Sequence, residues 1–161
     1  MTVRNAKKKP KRLYLAYGSN LNLGQMKNRC PGAKLVGYSY IHDYRLIFRG
    51  SGSGFYLSIE PAPGYMVPCG IFSITSSDEA NLDYYEGFPR FYRKKEITTY
   101  MNALNGESRI ISAMVYYLPS NSQAGMPTTR YVQTCKQGYA DFGFEEDMLL
   151  KAFTDTWEEI K

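Results

Sequence analysis

Histidine is almost missing from this 161-residue chain; His42 is the only one. Cysteine is scarce too. Cys30, Cys69 and Cys135 are odd in number, widely spaced, and form no Cys-x-x-Cys pair. A zinc cage draws about four ligands from these residue types, so a structural zinc site is not expected. A disulfide framework is not expected either, and three free thiols suit a reducing, cytoplasmic compartment. No apolar run reaches the roughly 18 residues that a spanning helix needs, so no membrane partner is expected. The charged start is not followed by an apolar segment, which argues against a secretory leader. Neither of the glycine-rich phosphate loops, GxxxxGK[ST] or GxGxxG, is present.

What is present is a globular composition, with 43% apolar and 22% charged residues. A chain of this length buries roughly 70% of its unfolded surface, enough for one self-sufficient core. The net charge of +5 is local in origin. Of 20 basic residues, six (Arg4, Lys7, Lys8, Lys9, Lys11 and Arg12) fall in residues 1–12, a stretch without acids; the remaining 14 face 15 acidic residues. A nucleic-acid-binding domain carries its charge on the folded face, so this distribution argues against that partner. Residues 1–11 read as a basic disordered tail and 12–161 as a single domain.

Leu13–Tyr17 is a short apolar run before Gly18, a buried first strand. Asn20 or Asn22 can cap a short helix carrying Leu23 and Met26, stopped by Pro31 and Gly32. Strand character follows over Lys34–Ile41, Tyr44–Phe48, Phe55–Ile59 and Cys69–Ile74, with a flexible loop at Gly50–Gly54 and a proline-containing turn between the last two. Ser76 and Glu79 make a capping-box pattern opening a helix that Gly87 ends. Tyr92–Met101 and Ile110–Leu118 read as a hairpin turning at Asn105-Gly106. Residues 119–127 are loop. Thr128 or Thr129 can cap a helix with Tyr131 and Cys135, and a last helix runs from about Glu145 to Glu159. Contiguous strands disfavour a doubly wound sheet. The expected class is α+β: a small, mixed, partly closed β-barrel or sheet of six to seven strands, flanked by helices.

Two segments can carry chemistry. Tyr17-Gly18-Ser19-Asn20-Leu21 joins a strand to a helix, where successive backbone N–H groups can converge on a carboxylate or an oxyanion. The same residues also make an ordinary turn with an asparagine cap. Glu86 falls at the carbonyl end of a helix, an unfavourable place for a negative charge, with Tyr84, Tyr85, Phe88 and Phe91 nearby. Both effects raise a carboxyl pKa and suit a general acid or base, although a solvated glutamate before a glycine cap fits the pattern equally. His42 beside Asp43, with Cys69 or Cys135, is a weaker nucleophile pair.

Together, Tyr14-Leu15-Ala16-Tyr17-Gly18-Ser19-Asn20-Leu21, Leu82-Asp83 with Glu86-Gly87 and Tyr92, and Pro127-Thr128-Thr129-Arg130-Tyr131 with Gly138-Tyr139 resemble the γ-glutamylcyclotransferase family. The resemblance spans about residues 13–145. It implies a γ-glutamylcyclotransferase-like fold and closure of a γ-glutamyl compound to 5-oxoproline, with release of an amine or amino acid. No cofactor and no metal are implied. Glu86 would be the catalytic acid/base. Tyr14, Leu15, Ala16, Tyr17, Gly18, Ser19, Asn20, Leu21, Tyr92 and Tyr131 would bind a small γ-glutamyl substrate. The first motif is nearer to the branch acting on γ-glutamyl amino acids, whereas Glu86-Gly87-Phe88-Pro89 with Tyr92-Arg93 looks like the γ-glutamylamine branch. Both substrate classes therefore stay open, as does a non-catalytic metabolite-binding module on the same fold. The oligomeric state is open as well, a homodimer included.

Overall fold

The structure, a computed structural model, describes residues 11–161; the first ten residues of the expected basic tail lie outside the described residues. Strand β1 (Arg12–Ala16) leads through a 3-10 turn (Ser19–Leu21) into helix α1 (Leu23–Arg29). Two long strands follow, β2 (Lys34–Ser51) and β3 (Gly54–Ile74), then α2 (Ser76–Glu86). Strands β4 (Arg93–Ala103) and β5 (Arg109–Tyr117) form a hairpin; a short β6 (Gln123–Ala124) precedes α3 (Thr129–Phe142) and α4 (Asp147–Ile160).

The sheet runs β3-β1-β5-β4-β2-β6, and β2 also pairs with β3. That extra pairing closes a five-stranded barrel and leaves β6 as an addition on β2, with four helices outside. Closure removes the free edges that an open sheet would expose. The pairing is mixed: β1 lies parallel to β5 and antiparallel to β3. Leu15, Phe48, Ile59, Ile71, Met114 and Val115 are fully buried, all from strands of the barrel. The expected class holds, with the barrel closed.

Several local expectations change. The strands expected at Lys34–Ile41 and Tyr44–Phe48 fuse into β2, and those at Phe55–Ile59 and Cys69–Ile74 fuse into β3. The prolines between the latter sit around a register shift opposite His42–Tyr44, where Asp43 takes a left-handed conformation and its carboxylate accepts from the Gly64 N–H at 2.9 Å. A bulge tolerates residues that cannot donate to the ladder. The Gly50–Gly54 stretch is a tight hairpin turn, with Ser51 paired to Gly54, rather than a flexible loop. The capping box lies one residue earlier than expected: Thr75 accepts from the Asp78 N–H, and Asp78 accepts from the Thr75 N–H. Asn22, not Asn20, caps α1, which frees the Asn20 amide for other contacts.

One close approach matters for everything downstream. A Cβ built on Gly138 of α3 would come within 2.5 Å of the backbone of Leu21 and Asn22. The glycine therefore lets α3 lie directly on the 3-10 turn. Alanine would gain about 1 kcal/mol in helix propensity, but a clash with backbone atoms cannot be relieved by a rotamer change and costs typically 1–3 kcal/mol or more. Gly138→Ala is expected to lower the midpoint of urea unfolding despite that propensity gain; an unchanged or higher midpoint would show that the turn shifts freely.

Candidate active site

The parallel β1–β5 pair brings two strand ends to one rim of the barrel. Tyr14 near the end of β1 and Tyr116 near the end of β5 meet edge to face, with ring centroids 5.9 Å apart. Strand β4 is antiparallel to β5, so its start lies at the same rim, and Tyr92 immediately precedes it. Helix α2 ends there too. Its last residue is Glu86, and Gly87 follows with φ 64°, the left-handed cap that ends a helix without a Cβ penalty. The Phe88 N–H returns to the Asp83 carbonyl at 2.9 Å and the Tyr92 N–H to the Glu86 carbonyl at 3.2 Å, which pins the chain on either side of the carboxylate.

These elements enclose a cavity of about 460 Å³. Among the predicted residues, Tyr14, Tyr17, Gly18, Ser19, Asn20, Glu86, Tyr92 and Tyr131 all line it. Leu15, Ala16 and Leu21 do not; their side chains are buried in the hydrophobic core. The floor is nearly solvent-free, with Tyr14, Tyr17 and Tyr92 exposed by 4–6%. Its phenols are knitted to the backbone. Tyr17 donates to the Tyr116 carbonyl at 2.7 Å and Tyr92 to the Leu57 carbonyl at 2.7 Å, while Tyr131 accepts from the Leu57 N–H at 3.0 Å.

Asn20 links the glycine turn to the carboxylate. Its Nδ2 donates to the Tyr14 hydroxyl at 2.9 Å and, in a long contact, to Glu86 Oε1 at 3.5 Å. Its Oδ1 accepts from Arg29 Nη1 at 2.7 Å, which fixes which end of the amide faces the carboxylate. Leu21 and Asn22 are the residues whose N–H groups close the 3-10 turn, onto Gly18 and Ser19. The N–H groups that open such a turn have no partner within it.

Burial raises the Glu86 carboxyl from 4.5 to about 7, against an opposing pull from the Arg29 guanidinium. The expected aromatic shroud is only partly as anticipated. Tyr84 and Tyr85 sit at the rim, and Phe88 does not line the cavity; its face takes the Lys94 ammonium at 4.2 Å. Burial, reinforced by the Glu86 charge, holds the Tyr14 and Tyr17 phenols far above neutral. Burial does the same for Tyr92, Tyr116 and Tyr131. Those phenols can donate hydrogen bonds but cannot act as bases near neutral pH. Glu86 can exchange a proton there.

Several lining residues escaped the sequence reading. Tyr116 looked like one more strand aromatic; its position at the rim follows from the parallel pairing with β1. Arg29, Gln25, Ser53, Tyr56 and Thr134 also line the cavity. Arg29 sits nine residues after Asn20 on a helix that turns back over it, a contact that local pattern does not announce. The His42–cysteine pair is not assembled as a nucleophile. His42 is exposed on β2, while Cys69 and Cys135 are buried and burial pushes both thiols up to about 12. No group of three metal-ligating side chains occurs among the described residues, and no helix among them is long and apolar enough to cross a membrane.

Residues 14–134 match the family model described as gamma-glutamyl cyclotransferase, AIG2-like. No curated protein matches the chain. Among solved structures, a gamma-glutamyl cyclotransferase superposes with TM-score 0.74 at 23% identity, over 89% of this chain and 86% of that one. An uncharacterised protein from Homo sapiens gives 0.73 at 23% identity, over 90% and 87%. A yeast gamma-glutamyl cyclotransferase described as specific to glutathione gives 0.60 at 12% identity, over 92% and 96%. At these identities the structural likeness speaks for the fold.

The raised Glu86 carboxyl has a thermodynamic consequence. Between about pH 4.5 and 7 the folded state holds a proton that the unfolded chain releases. Stability therefore falls as pH rises through that window, by roughly 3 kcal/mol in all. Glu86→Gln keeps an acceptor for Asn20 and removes the titration. Urea unfolding should find the variant more stable than the parent at pH 8 and nearly equal at pH 4.5. An equal gap at both pH values would mean that the carboxyl is not desolvated.

Proposed function

The chain belongs to the gamma-glutamyl cyclotransferase, AIG2-like family, and we propose that it closes small γ-glutamyl compounds to 5-oxoproline with Glu86 as the general acid/base. The observation that carries this reading is the meeting of two sequence-distant elements in one cavity. A carboxyl raised to about 7 lies 3.5 Å from the side chain of Asn20 in the glycine turn.

In this mechanism the Glu86 carboxylate takes a proton from the substrate's α-ammonium group. The freed amine attacks the γ-carbonyl carbon, closing the lactam ring and placing negative charge on the carbonyl oxygen. Glu86 then gives its proton to the leaving nitrogen, the carbonyl re-forms as the amide C–N bond breaks, and the ring nitrogen sheds its second proton to the departing amine, so that neutral lactam 5-oxoproline and a protonated amine or amino acid separate. The nucleophile belongs to the substrate, so the protein's task is to fold the substrate into the attacking conformer. Tyr14, Tyr17, Tyr92 and Tyr131 shape the floor for that purpose. The N–H groups opening the Ser19–Leu21 turn suit the substrate carboxylate or the developing oxyanion. Tyr14 accepts from Asn20, which leaves its own proton to donate into the cavity. A pKa near 7 suits this double duty: the group is basic enough to accept the proton and acidic enough to return it.

Because the base must be ionised, kcat/KM should rise with pH through about 7. Glu86→Gln should lose roughly a hundredfold to ten-thousandfold of the turnover while remaining folded. Mass-spectrometric detection of 5-oxoproline from γ-glutamyl dipeptides and γ-glutamylamines between pH 5 and 9 checks both. Turnover retained in Glu86→Gln would remove Glu86 as the base. Tight binding without any product in the parent protein would leave a metabolite-binding module instead.

A further inference from the structure

Arg29 is the only basic side chain lining the cavity among the described residues, and it forms no carboxylate pair among them. Other cations near the barrel are spoken for: Arg45 and Arg49 by Glu60 and Glu159, Lys94 by Glu79 and Asp83. The Arg29 guanidinium is nonetheless held in place. Its carbon lies 4.7 Å over the Tyr85 ring, and one N–H of Nη1 is taken by Asn20. The Arg29 backbone carbonyl accepts from Asn81 of α2 at 3.0 Å. A guanidinium carries five N–H groups, and stacking on a ring leaves its edge free. An ordered, half-buried cation with open donors fits a carboxylate through a two-pronged, charge-assisted contact.

Its place in the cavity indicates which carboxylate. The Asn20 amide and the floor phenols Tyr14, Tyr17 and Tyr92 are nearly solvent-free, whereas Tyr85 is 56% exposed at the rim. On the cyclotransferase reading, the glutamyl half has to reach Glu86 and the glycine turn on the floor, which directs the departing half toward the rim where Arg29 stacks on Tyr85.

We infer that Arg29 anchors a carboxylate borne by the leaving half of the substrate, so that the site takes γ-glutamyl amino acids in preference to γ-glutamylamines. The inference rests on the cyclotransferase reading of the same cavity. A carboxylate seated there also offsets the pull of Arg29 on Glu86. Compared with a substrate whose leaving half is neutral, such a substrate places the acid limb of kcat at higher pH.

The test compares γ-glutamylglycine with γ-glutamylglycinamide, which replaces the carboxylate by a neutral amide of similar shape. Release of 5-oxoproline is followed for the parent, Arg29→Lys and Arg29→Met. The parent should favour γ-glutamylglycine by roughly tenfold or more in kcat/KM. Arg29→Met should bring that ratio near one, and Arg29→Lys should fall between. Reading the ratio separates recognition from scaffolding, since a structural lesion slows both compounds together. A parent ratio near one overturns the inference, as does a ratio that survives in Arg29→Met. If the parent converts neither compound, the cyclotransferase reading falls, and calorimetric binding of the same pair decides the inference. Tighter binding of γ-glutamylglycine that depends on Arg29 sustains it. Equal affinity, or no binding, overturns it.

Discussion

A half-buried carboxyl group at the end of α2 faces a turn built at the end of β1. Most features of this molecule acquire their meaning from that arrangement. Desolvation favours the neutral acid, while Arg29 favours the ionised form. The balance leaves the proton exchangeable near neutrality. The surrounding phenols, held protonated by the same burial, do not compete for the role.

The fold maintains this arrangement through backbone geometry more than through side-chain bonding. Barrel closure by the β2–β3 pairing fixes β1 between β3 and β5. The parallel register of β1 and β5 puts both strand ends at one rim. Gly138 allows α3 to press on the 3-10 turn from behind, and Gly87 ends α2 one residue after the carboxylate. On the far flank, Arg49 is nearly fully buried and paired with Glu60 and Glu159, which ties α4 to the strands. That network holds the helical layer without touching the cavity.

Much of this was readable in advance, for identifiable reasons. The Gly87 stop was legible because a glycine cap is a local backbone requirement, and Glu86 owes its helix-end position to that stop. The Tyr17–Leu21 turn was legible because glycine and asparagine punctuate the chain between an apolar strand and a helix. Pairing partners were not. The prolines of β3 suggested a break because a local reading sees a missing donor, whereas the neighbouring strand accommodates it through a bulge at Asp43. Leu15, Ala16 and Leu21 belong to the matching motif, yet their side chains serve the core that holds the turn in place.

The amino-acid sequence by itself determined the α+β class, the four helices, the β4–β5 hairpin, and the two segments able to carry acid–base and anion-binding chemistry. These follow from periodicity, capping and turn chemistry, interactions among residues a few positions apart. Only the tertiary structure decided that Glu86 and Asn20, 66 positions apart, share a cavity, that Tyr116 and Arg29 join them, and that the carboxyl is desolvated. Desolvation and long-range pairing depend on what the rest of the chain places around a group, and no local window contains that information.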